Sequence, residues 1–283
     1  MRRGTVFHKL TGSGNDFIAL DGRVVPPETL TTADIQALCD RRLGAGADGL
    51  MVLVPTPGTD VHFRFHFWNR DGSPGPMCGN GALCATRLAV VLGFARPESE
   101  VRFATDAGTH WGSLVGDNRS EIAFPDCDLP TPVPDLPVAP GESGAMSCTP
   151  SVPHLVLEVP DVDAVDVAGR GPSLRSDPSL GPGGANVNWV SQHPSWAGWR
   201  MRTFERGVEG ETLACGTGAI ATALSLGARN RAASPVKLWT RSGLPLEVSW
   251  LSAGGKAASI RLRGEGRVVY RAILESLPNN SRE

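Results

Sequence analysis

The 283-residue sequence contains no apolar run that approaches the roughly 18 residues needed for a membrane-spanning helix. It also lacks an excess of charge of one sign, since 27 lysines and arginines are balanced by 29 aspartates and glutamates. A formal net charge of −2 shows neither the basic footprint of a nucleic-acid-binding protein nor an acidic tail. We therefore expect a cytoplasmic protein that has a small-molecule partner and binds neither membrane nor nucleic acid.

Regular cysteine spacing is also absent. The six cysteines include no CxxC pair, and Cys78 and Cys84 are spaced wrongly for a zinc knuckle. A chain of this length with irregular cysteines does not indicate a disulfide framework. A single cysteine is most often a small buried hydrophobic residue. We expect that role for Cys39, Cys84, Cys127 and Cys148.

Short stretches rich in Val, Ile, Phe and Trp, separated by Gly, Pro, Asn and Asp, predict many strands. Helical periodicity is confined to Ala33–Leu43, Gly81–Leu92 and Gly218–Arg231. Between positions 125 and 153 the chain carries eight prolines, which predicts a linker or an extended edge segment. The pattern indicates an α+β protein with more strand than helix.

One duplication relates the two halves of the sequence. MCGNGALCATRLAVVLG surrounds Cys78 and ACGTGAIATALSLGARN surrounds Cys215, 137 residues further on. Each block reads Cys-Gly-x-Gly-Ala before an alanine-rich apolar segment, and each follows a predicted strand with a polar end, at Asn69 in one case and at Glu205 and Arg206 in the other. The sequence therefore predicts two related halves, each built as strand, loop, cysteine and helix.

The repeated block predicts a particular chemistry at the start of each helix. Its glycines allow a tight turn, and the helix that follows presents N–H groups and the positive end of its dipole. Such a terminus binds a carboxylate and lowers the pKa of a thiol ahead of it, from about 8.5 to roughly 3.5–7.5. Helix capping alone would not place cysteine at the same offset twice. We predict that Cys78 and Cys215 are the acid–base pair of a cofactor-independent racemase or epimerase; a disulfide between them would be an inactive by-product.

The sequence resembles the diaminopimelate epimerase family, whose members interconvert LL- and meso-2,6-diaminopimelate without pyridoxal phosphate in lysine and cell-wall synthesis. The resemblance spans nearly the whole chain, in the family's order. The segments that carry it are GSGNDF (12–17), GAGADGL (44–50), WNRDGS (68–73), MCGNGALC (77–84), Pro153 with His154, NVNWV (186–190) and FERGVEGETLACGTGA (204–219). At Val152 the family commonly has Asn, and the change removes one polar contact to the distal end of the substrate.

The resemblance implies two pseudo-symmetric lobes, each a strand-rich barrel around a central helix, with the active site in the cleft between them. It implies that Cys215 is the base and Cys78 the acid in one direction, and that His154 and Glu205 adjust the thiol pKa values. The substrate-binding residues that it implies are Asn15, Asn69, Gly79, Asn80, Asn186, Glu205, Arg206, Gly216 and Thr217. Arg206 would bind the distal carboxylate and Glu205 the distal ammonium.

We expect an N-terminal lobe over residues 1–126 and a C-terminal lobe over 127–269, with residues 270–283 returning to the first lobe. The resemblance also implies a homodimer. Two alternatives remain: a related racemase of another amino acid, such as histidine, and a non-catalytic amino-acid-binding protein of the same fold. The residues assigned to the distal end favour diaminopimelate: Asn69, Asn186, Glu205 and Arg206. The pair of cysteines favours catalysis.

Overall fold

The computed structural model describes residues 3–75 and 77–275, which form four α-helices and eighteen strands. The predicted α+β class, with more strand than helix, is confirmed. No helix within these two ranges is long and apolar enough to cross a membrane.

The helices are α1 (Thr32–Cys39), α2 (Gly79–Val91), α3 (Val167–Arg175) and α4 (Gly216–Ala228). The strands are β1 (Val6–Gly12), β2 (Asn15–Asp21), β3 (Gly49–Pro55), β4 (Phe63–Asn69), β5 (Val101–Thr105), β6 (Gly108–Leu114), β7 (Arg119–Ala123), β8 (Cys127–Asp128), β9 (Thr131–Pro132), β10 (Ser143–Cys148), β11 (His154–Glu158), β12 (Asn186–Gln192), β13 (Trp199–Glu205), β14 (Gly210–Thr212), β15 (Val236–Trp239), β16 (Pro245–Ala253), β17 (Lys256–Glu265) and β18 (Arg267–Ile273).

The chain divides into two compact units. The first takes the described residues up to Ile122 and those from Gly264 onward, and the second is Ala123–Arg263. These boundaries lie a few residues before the 126/127 and 269/270 boundaries expected from the sequence. Residues 276–283 of the expected return segment lie outside the described residues.

In the first unit the strands surround α2. β2 runs parallel to β3, β3 antiparallel to β4, β4 parallel to β5 and β5 antiparallel to β6, while β1 pairs with both β2 and β18. α2 contacts β1, β2, β3, β4, β6 and β18, and most of its residues are buried. A helix that is apolar on all sides is stable only inside such a shell.

The second unit repeats this order of strands. β11 runs parallel to β12, β12 antiparallel to β13, β13 parallel to β15 and β15 antiparallel to β16. Its central helix, α4, contacts β10, β11, β12, β15 and β16. The expected pair of pseudo-symmetric lobes, each made of strands around one helix, is therefore confirmed.

α2 and α4 begin and end within three residues of the predicted bounds, whereas α1 and α3 differ more. α1 ends at Cys39 rather than at Leu43, because the Asp40 carboxylate accepts the N–H groups of Arg42 (2.7 Å) and Leu43 (2.6 Å) and turns the chain out of the helix. α3 has no apolar periodicity and was not predicted. Gly171 places this helix against Phe204, where an added Cβ would lie 2.3 Å from the ring.

The proline-rich segment forms the short strands β8, β9 and β10, with β9 paired to β10 and β10 to β11. Its Pro132 is exposed, as expected because proline cannot donate a hydrogen bond to a neighbouring strand and is confined to sheet edges. The segment is extended, as its composition predicts. Cys39, Cys84, Cys127 and Cys148 are all buried, which agrees with the role expected for them.

Candidate active site

Cys78 and Cys215 occupy the N-cap positions of α2 and α4 with nearly identical backbone geometry. The dihedral angles are φ −127° and ψ 118° at Cys78, and φ −127° and ψ 114° at Cys215. Each sulfur accepts the N–H of the glycine three residues later, Gly81 or Gly218, at 3.4 Å. The duplicated sequence thus folds into two copies of one local structure, each with a thiol at the positive end of a buried helix.

Four of the predicted substrate-binding residues lie in the first turns of these two helices: Gly79, Asn80, Gly216 and Thr217. The first intrahelical hydrogen bond of α4 runs from Ala219 N to Cys215 O (2.9 Å), so the amides of Gly216 and Thr217 precede it. N–H groups in this position bind carboxylates and phosphates. The local geometry therefore supports the predicted anion site at each helix end.

Asn80 and Asn15, both predicted from the sequence, are joined in the first unit. Asn80 Nδ2 donates to Asn15 Oδ1 at 2.8 Å, and Asn15 Nδ2 donates to Asp48 Oδ2 at 3.2 Å. Arg41 in turn binds the other Asp48 oxygen at 2.7 Å. Asp48 was not predicted as a site residue, although it lies in the GAGADGL segment. It decides which end of the Asn15 amide faces Asn80.

Asn69 lies at the end of β4, where it pairs with Gly49. Its side chain is exposed, and its Nδ2 donates to Ser73 Oγ at 3.0 Å within the following turn. Its role in binding substrate stays a prediction.

Glu205 lies at the end of β13 beside the Cys215 thiol. Thr212 Oγ1 donates to the Glu205 carboxylate at 2.6 Å, and the Cys215 thiol also forms a hydrogen bond with it. Burial raises the pKa of Glu205 above its usual value. A carboxylate in this position can hold the proton of the neighbouring thiol.

The pKa of Cys215 differs from the sequence expectation. Burial, and after it the negative charge of Glu205, raises the pKa of the Cys215 thiol well above its ordinary value. The Thr217 hydroxyl and the Gly218 N–H act in the opposite direction but are outweighed. The predicted lowering of this thiol pKa is therefore wrong for Cys215, because loss of hydration exceeds the stabilisation available at the helix end.

His154 is completely buried at the start of β11. Its Nε2 lies 2.9 Å from Thr217 Oγ1, and its Nδ1 lies 3.1 Å from the Nδ2 of Asn188. Burial, with a smaller contribution from the positive charge of Arg206, lowers the pKa of His154 to about 3. The imidazole is therefore neutral at physiological pH and acts on its neighbours through hydrogen bonds.

The depressed pKa of His154 predicts a pH-dependent stability. Below about pH 6.5 the unfolded chain protonates this histidine and the folded protein does not, so stability is lost as the pH falls from about 6.5 toward 3. We expect a loss of about 2 kcal/mol between pH 7 and pH 5 from this residue. Urea unfolding at both pH values measures it. His154→Gln should remove the loss, and an equal pH effect in that variant would contradict the assignment.

Asn186 and Arg206 meet in the second unit. Asn186 Oδ1 accepts the backbone N–H of Arg206 at 2.9 Å, and Asn186 Nδ2 donates to Pro153 O at 3.3 Å. The Arg206 guanidinium donates to Gly183 O at 3.2 Å. The asparagine therefore holds the backbone from which the arginine side chain extends.

Two further buried polar residues were not predicted: Asn188, which contacts His154, and Thr203, which contacts Asn188. Thr203 Oγ1 donates to Asn188 Oδ1 at 2.9 Å, and Asn188 Nδ2 donates to Leu155 O at 3.0 Å. A signal was present in NVNWV, since residues two apart in a strand share a face. Asn188 therefore lies on the same face as the predicted Asn186.

The sequence matches known proteins of one family over most of its length. The family profile of diaminopimelate epimerase matches residues 7–123 and 147–269. The chain is 45% identical to the diaminopimelate epimerase of Gemmatimonas aurantiaca, with 96% of this chain and 99% of the relative covered. The diaminopimelate epimerase of Chlorobaculum tepidum is 35% identical, with 94% and 99% covered.

A solved structure shares the fold. The hydroxyproline epimerase of Agrobacterium vitis superposes with a TM-score of 0.69 at 15% sequence identity, with 96% of this chain and 91% of that chain covered. The family profile covers most of the chain, and the two relatives match it almost from end to end. The protein belongs to the diaminopimelate epimerase family.

Proposed function

We propose that the protein interconverts LL- and meso-2,6-diaminopimelate, a step of lysine and peptidoglycan precursor synthesis, by transferring protons at the α-carbon. One observation carries the proposal: two cysteines cap two buried helices with the same dihedral angles and the same hydrogen bond. Glycine-rich helix ends bind the reacting carboxylate, and a thiol beside each end supplies one base and one acid.

In the proposed mechanism the Cys215 thiolate removes the α-proton. The C–H bond breaks, an S–H bond forms, and the electron pair stays on carbon, where the helix-bound carboxylate spreads the charge. The Cys78 thiol then gives its proton to the other face and becomes the thiolate. The reverse reaction exchanges the two roles. No other co-reactant is needed.

Glu205 receives one of its two predicted roles. Its carboxylate forms a hydrogen bond with the Cys215 thiol, so it can take up the thiol proton and leave Cys215 as the thiolate that removes the α-proton. Binding of the distal ammonium by the same carboxylate is less compatible with that contact. We assign the distal end to Asn69, Asn186 and Arg206.

The two alternative functions would require fewer of the predicted site residues. A racemase of histidine or another amino acid with a single α-carbon centre would not need Arg206 for a second carboxylate. A non-catalytic binding protein would not require both thiols. Diaminopimelate epimerase accounts for the two N-cap cysteines and the arginine together, and the names of the relatives point to the same substrate.

The test is direct. Purified protein is incubated with LL-diaminopimelate without added pyridoxal phosphate, and the meso product is followed by chiral chromatography, with L-histidine as a parallel substrate. Formation of the meso isomer supports the proposal. Racemisation of histidine alone would replace it with the related racemase, and binding of diaminopimelate without turnover would favour the non-catalytic alternative.

A second measurement tests the use of two bases. In deuterated water, early product should carry solvent deuterium at the epimerised carbon, because the returning proton comes from the thiol that did not remove the original one. Recovered substrate should gain label more slowly. A single base would return much of the substrate's own hydrogen to the product, and that result would contradict the pairing of Cys78 with Cys215.

Replacing Arg206 by lysine should weaken transition-state binding by roughly 1 to 3 kcal/mol, since the ammonium keeps the charge but loses the planar fork that binds a carboxylate with two hydrogen bonds. The measurement is kcat/KM for diaminopimelate. Arg231→Lys is the matched control, because Arg231 pairs with Glu158 beyond the other end of α4. Unchanged kcat/KM in Arg206→Lys would contradict its assignment to the distal carboxylate.

The family resemblance further predicts a homodimer in the cytoplasm. Light scattering of the purified protein across a concentration series tests the first part, and cell fractionation of the native host tests the second. A monomer at all concentrations would contradict the predicted homodimer and would leave the proposed epimerisation untouched.

A further inference from the structure

The strand registers of the two units define equivalent positions. In the first unit Phe17 pairs with Gly49 and Gly49 with Asn69. In the second unit His154 pairs with Asn186. Val187 pairs with Phe204, so the preceding residue, Asn186, lies opposite Glu205. Aligning these strands makes Phe17 equivalent to His154, Met51 to Asn188 and Phe67 to Thr203.

The three equivalent positions differ in chemistry. In the first unit they are apolar: Phe17 and Met51 are buried, and the rings of Phe17 and Phe67 meet edge to face at 6.0 Å. In the second unit all three are polar and buried, with Asn188 fully and Thr203 almost fully enclosed. Burying polar groups is costly unless they are hydrogen-bonded to one another, so an apolar set would suffice for packing alone. The polar set requires a separate explanation.

The contacts around Asn188 fix which atom is the donor in each hydrogen bond of this polar set. Leu155 O can only accept, so Asn188 Nδ2 must face it and Asn188 Oδ1 must face the Thr203 hydroxyl. The same Nδ2 lies 3.1 Å from His154 Nδ1, which must then accept. A neutral imidazole that accepts at Nδ1 carries its proton on Nε2. His154 is therefore the donor to Thr217 Oγ1 at 2.9 Å.

Thr217 links His154 to the Cys215 thiol. Its hydroxyl oxygen accepts from His154, so its own hydrogen is available for Cys215 Sγ, 3.6 Å away. A second amide, Asn186 Nδ2, lies 3.5 Å from His154 Nε2 and would favour the opposite tautomer. That contact is the longer of the two. The 3.1 Å contact on Nδ1 is therefore the stronger constraint.

We propose that Asn188 and Thr203 are positioning residues that hold His154 in its Nε2–H tautomer, so that the Thr217 hydroxyl donates to Cys215 and stabilises its thiolate. The proposal rests on the proposed function. It makes the two halves chemically different, because the equivalent residues of the Cys78 half, Phe17, Met51 and Phe67, cannot form such a chain. The groups that act on the charge of Cys215 are the Glu205 carboxylate, the Thr217 hydroxyl and the Gly218 N–H. Neutral His154 contacts the Thr217 hydroxyl, and the positive charge of Arg206 acts on His154.

The test measures each thiol separately. The whole protein is alkylated with iodoacetamide over a pH series, and labelling of the Cys78 and Cys215 peptides is quantified by mass spectrometry. Thr203→Val and Asn188→Leu should move the Cys215 curve upward by about half to one pH unit, the size expected for one lost hydrogen bond, and leave the Cys78 curve in place. Thr203→Ser keeps the hydroxyl and should restore the wild-type curve. Met51→Leu, at the equivalent apolar position, is the matched control.

A direct readout uses ¹⁵N-labelled histidine in the wild-type protein. The His154 signal, assigned by its loss in His154→Gln, should show a protonated Nε2 and a bare Nδ1. A protonated Nδ1 would overturn the proposal even if Asn188→Leu fails to fold. It would also be overturned by a Cys215 curve that Thr203→Val leaves unmoved, or by equal shifts of both thiols.

The outcomes separate this proposal from the proposed function. A selective shift of the Cys215 curve in a protein that does not epimerise diaminopimelate would contradict the proposed function alone. Normal epimerisation with no shift in Thr203→Val would contradict the positioning role alone.

Discussion

Replacing either Cys78 or Cys215 by serine is expected to reduce epimerisation by about 10⁴-fold or more, while substrate binding stays largely intact. A serine hydroxyl can still cap the helix by accepting the glycine N–H, but it is too weak an acid to cycle through its anion at neutral pH. Each thiol serves one face of the carbon, so losing one stops turnover in both directions. Initial rates of meso formation and calorimetric titration with substrate give the two quantities.

Cys39→Ala is the control for the cysteine variants. Cys39 is buried at the end of α1, and burial raises the pKa of its thiol to about 12, so it contributes no thiolate at neutral pH. We expect this variant to keep wild-type activity. Near-normal turnover by Cys78→Ser or Cys215→Ser would show that the reaction does not need two thiols.

The second large effect is expected for Gly218→Ala. An added Cβ at Gly218 would lie 2.4 Å from Asn188 Oδ1, and Asn188 cannot move aside because it is buried and bound to Thr203 and Leu155. Overpacking of this kind costs roughly 1 to 3 kcal/mol. At the duplicated position, an added Cβ on Gly81 would meet nothing nearer than 3.3 Å. Gly81→Ala should therefore cost less than about 1 kcal/mol, since alanine also favours the helix.

Denaturant unfolding of the two variants measures this difference. In an Asn188→Ala background the added methyl group has room, so Gly218→Ala should cost less there than in the wild type, which a double-mutant cycle reports as coupling. Equal costs for Gly81→Ala and Gly218→Ala would mean that Asn188 does not restrict the start of α4. Additive costs in the cycle would lead to the same conclusion.

The duplicated Cys-Gly-x-Gly-Ala block made much of the fold and of the site predictable. Glycines, a cysteine and an apolar helix at the same offset in both halves are a local pattern, and the N-cap geometry that they adopt is local as well. The first helix was predicted too long because the Asp40 side chain, rather than a loss of periodicity, ends it. α3 was missed because packing on Phe204, rather than its own composition, stabilises it.

The pKa of Cys215 shows where local reasoning fails. The sequence indicates a helix end, which lowers a thiol pKa, but burial and the approach of Glu205 from β13 raise it. Desolvation depends on every element packed around the group, and those elements come from distant parts of the chain.

The sequence by itself determined the strand-rich α+β class, the two related halves and the place of Cys78 and Cys215 at the starts of two buried helices, because each follows from residue order within a short segment. Only the tertiary structure decided that His154 is neutral, that Glu205 contacts the Cys215 thiol, and that Asn188 contacts both His154 and Thr203. These relations depend on strand register, which pairs residues far apart in sequence. A register shift of one residue would place each of these side chains on the opposite face of its strand.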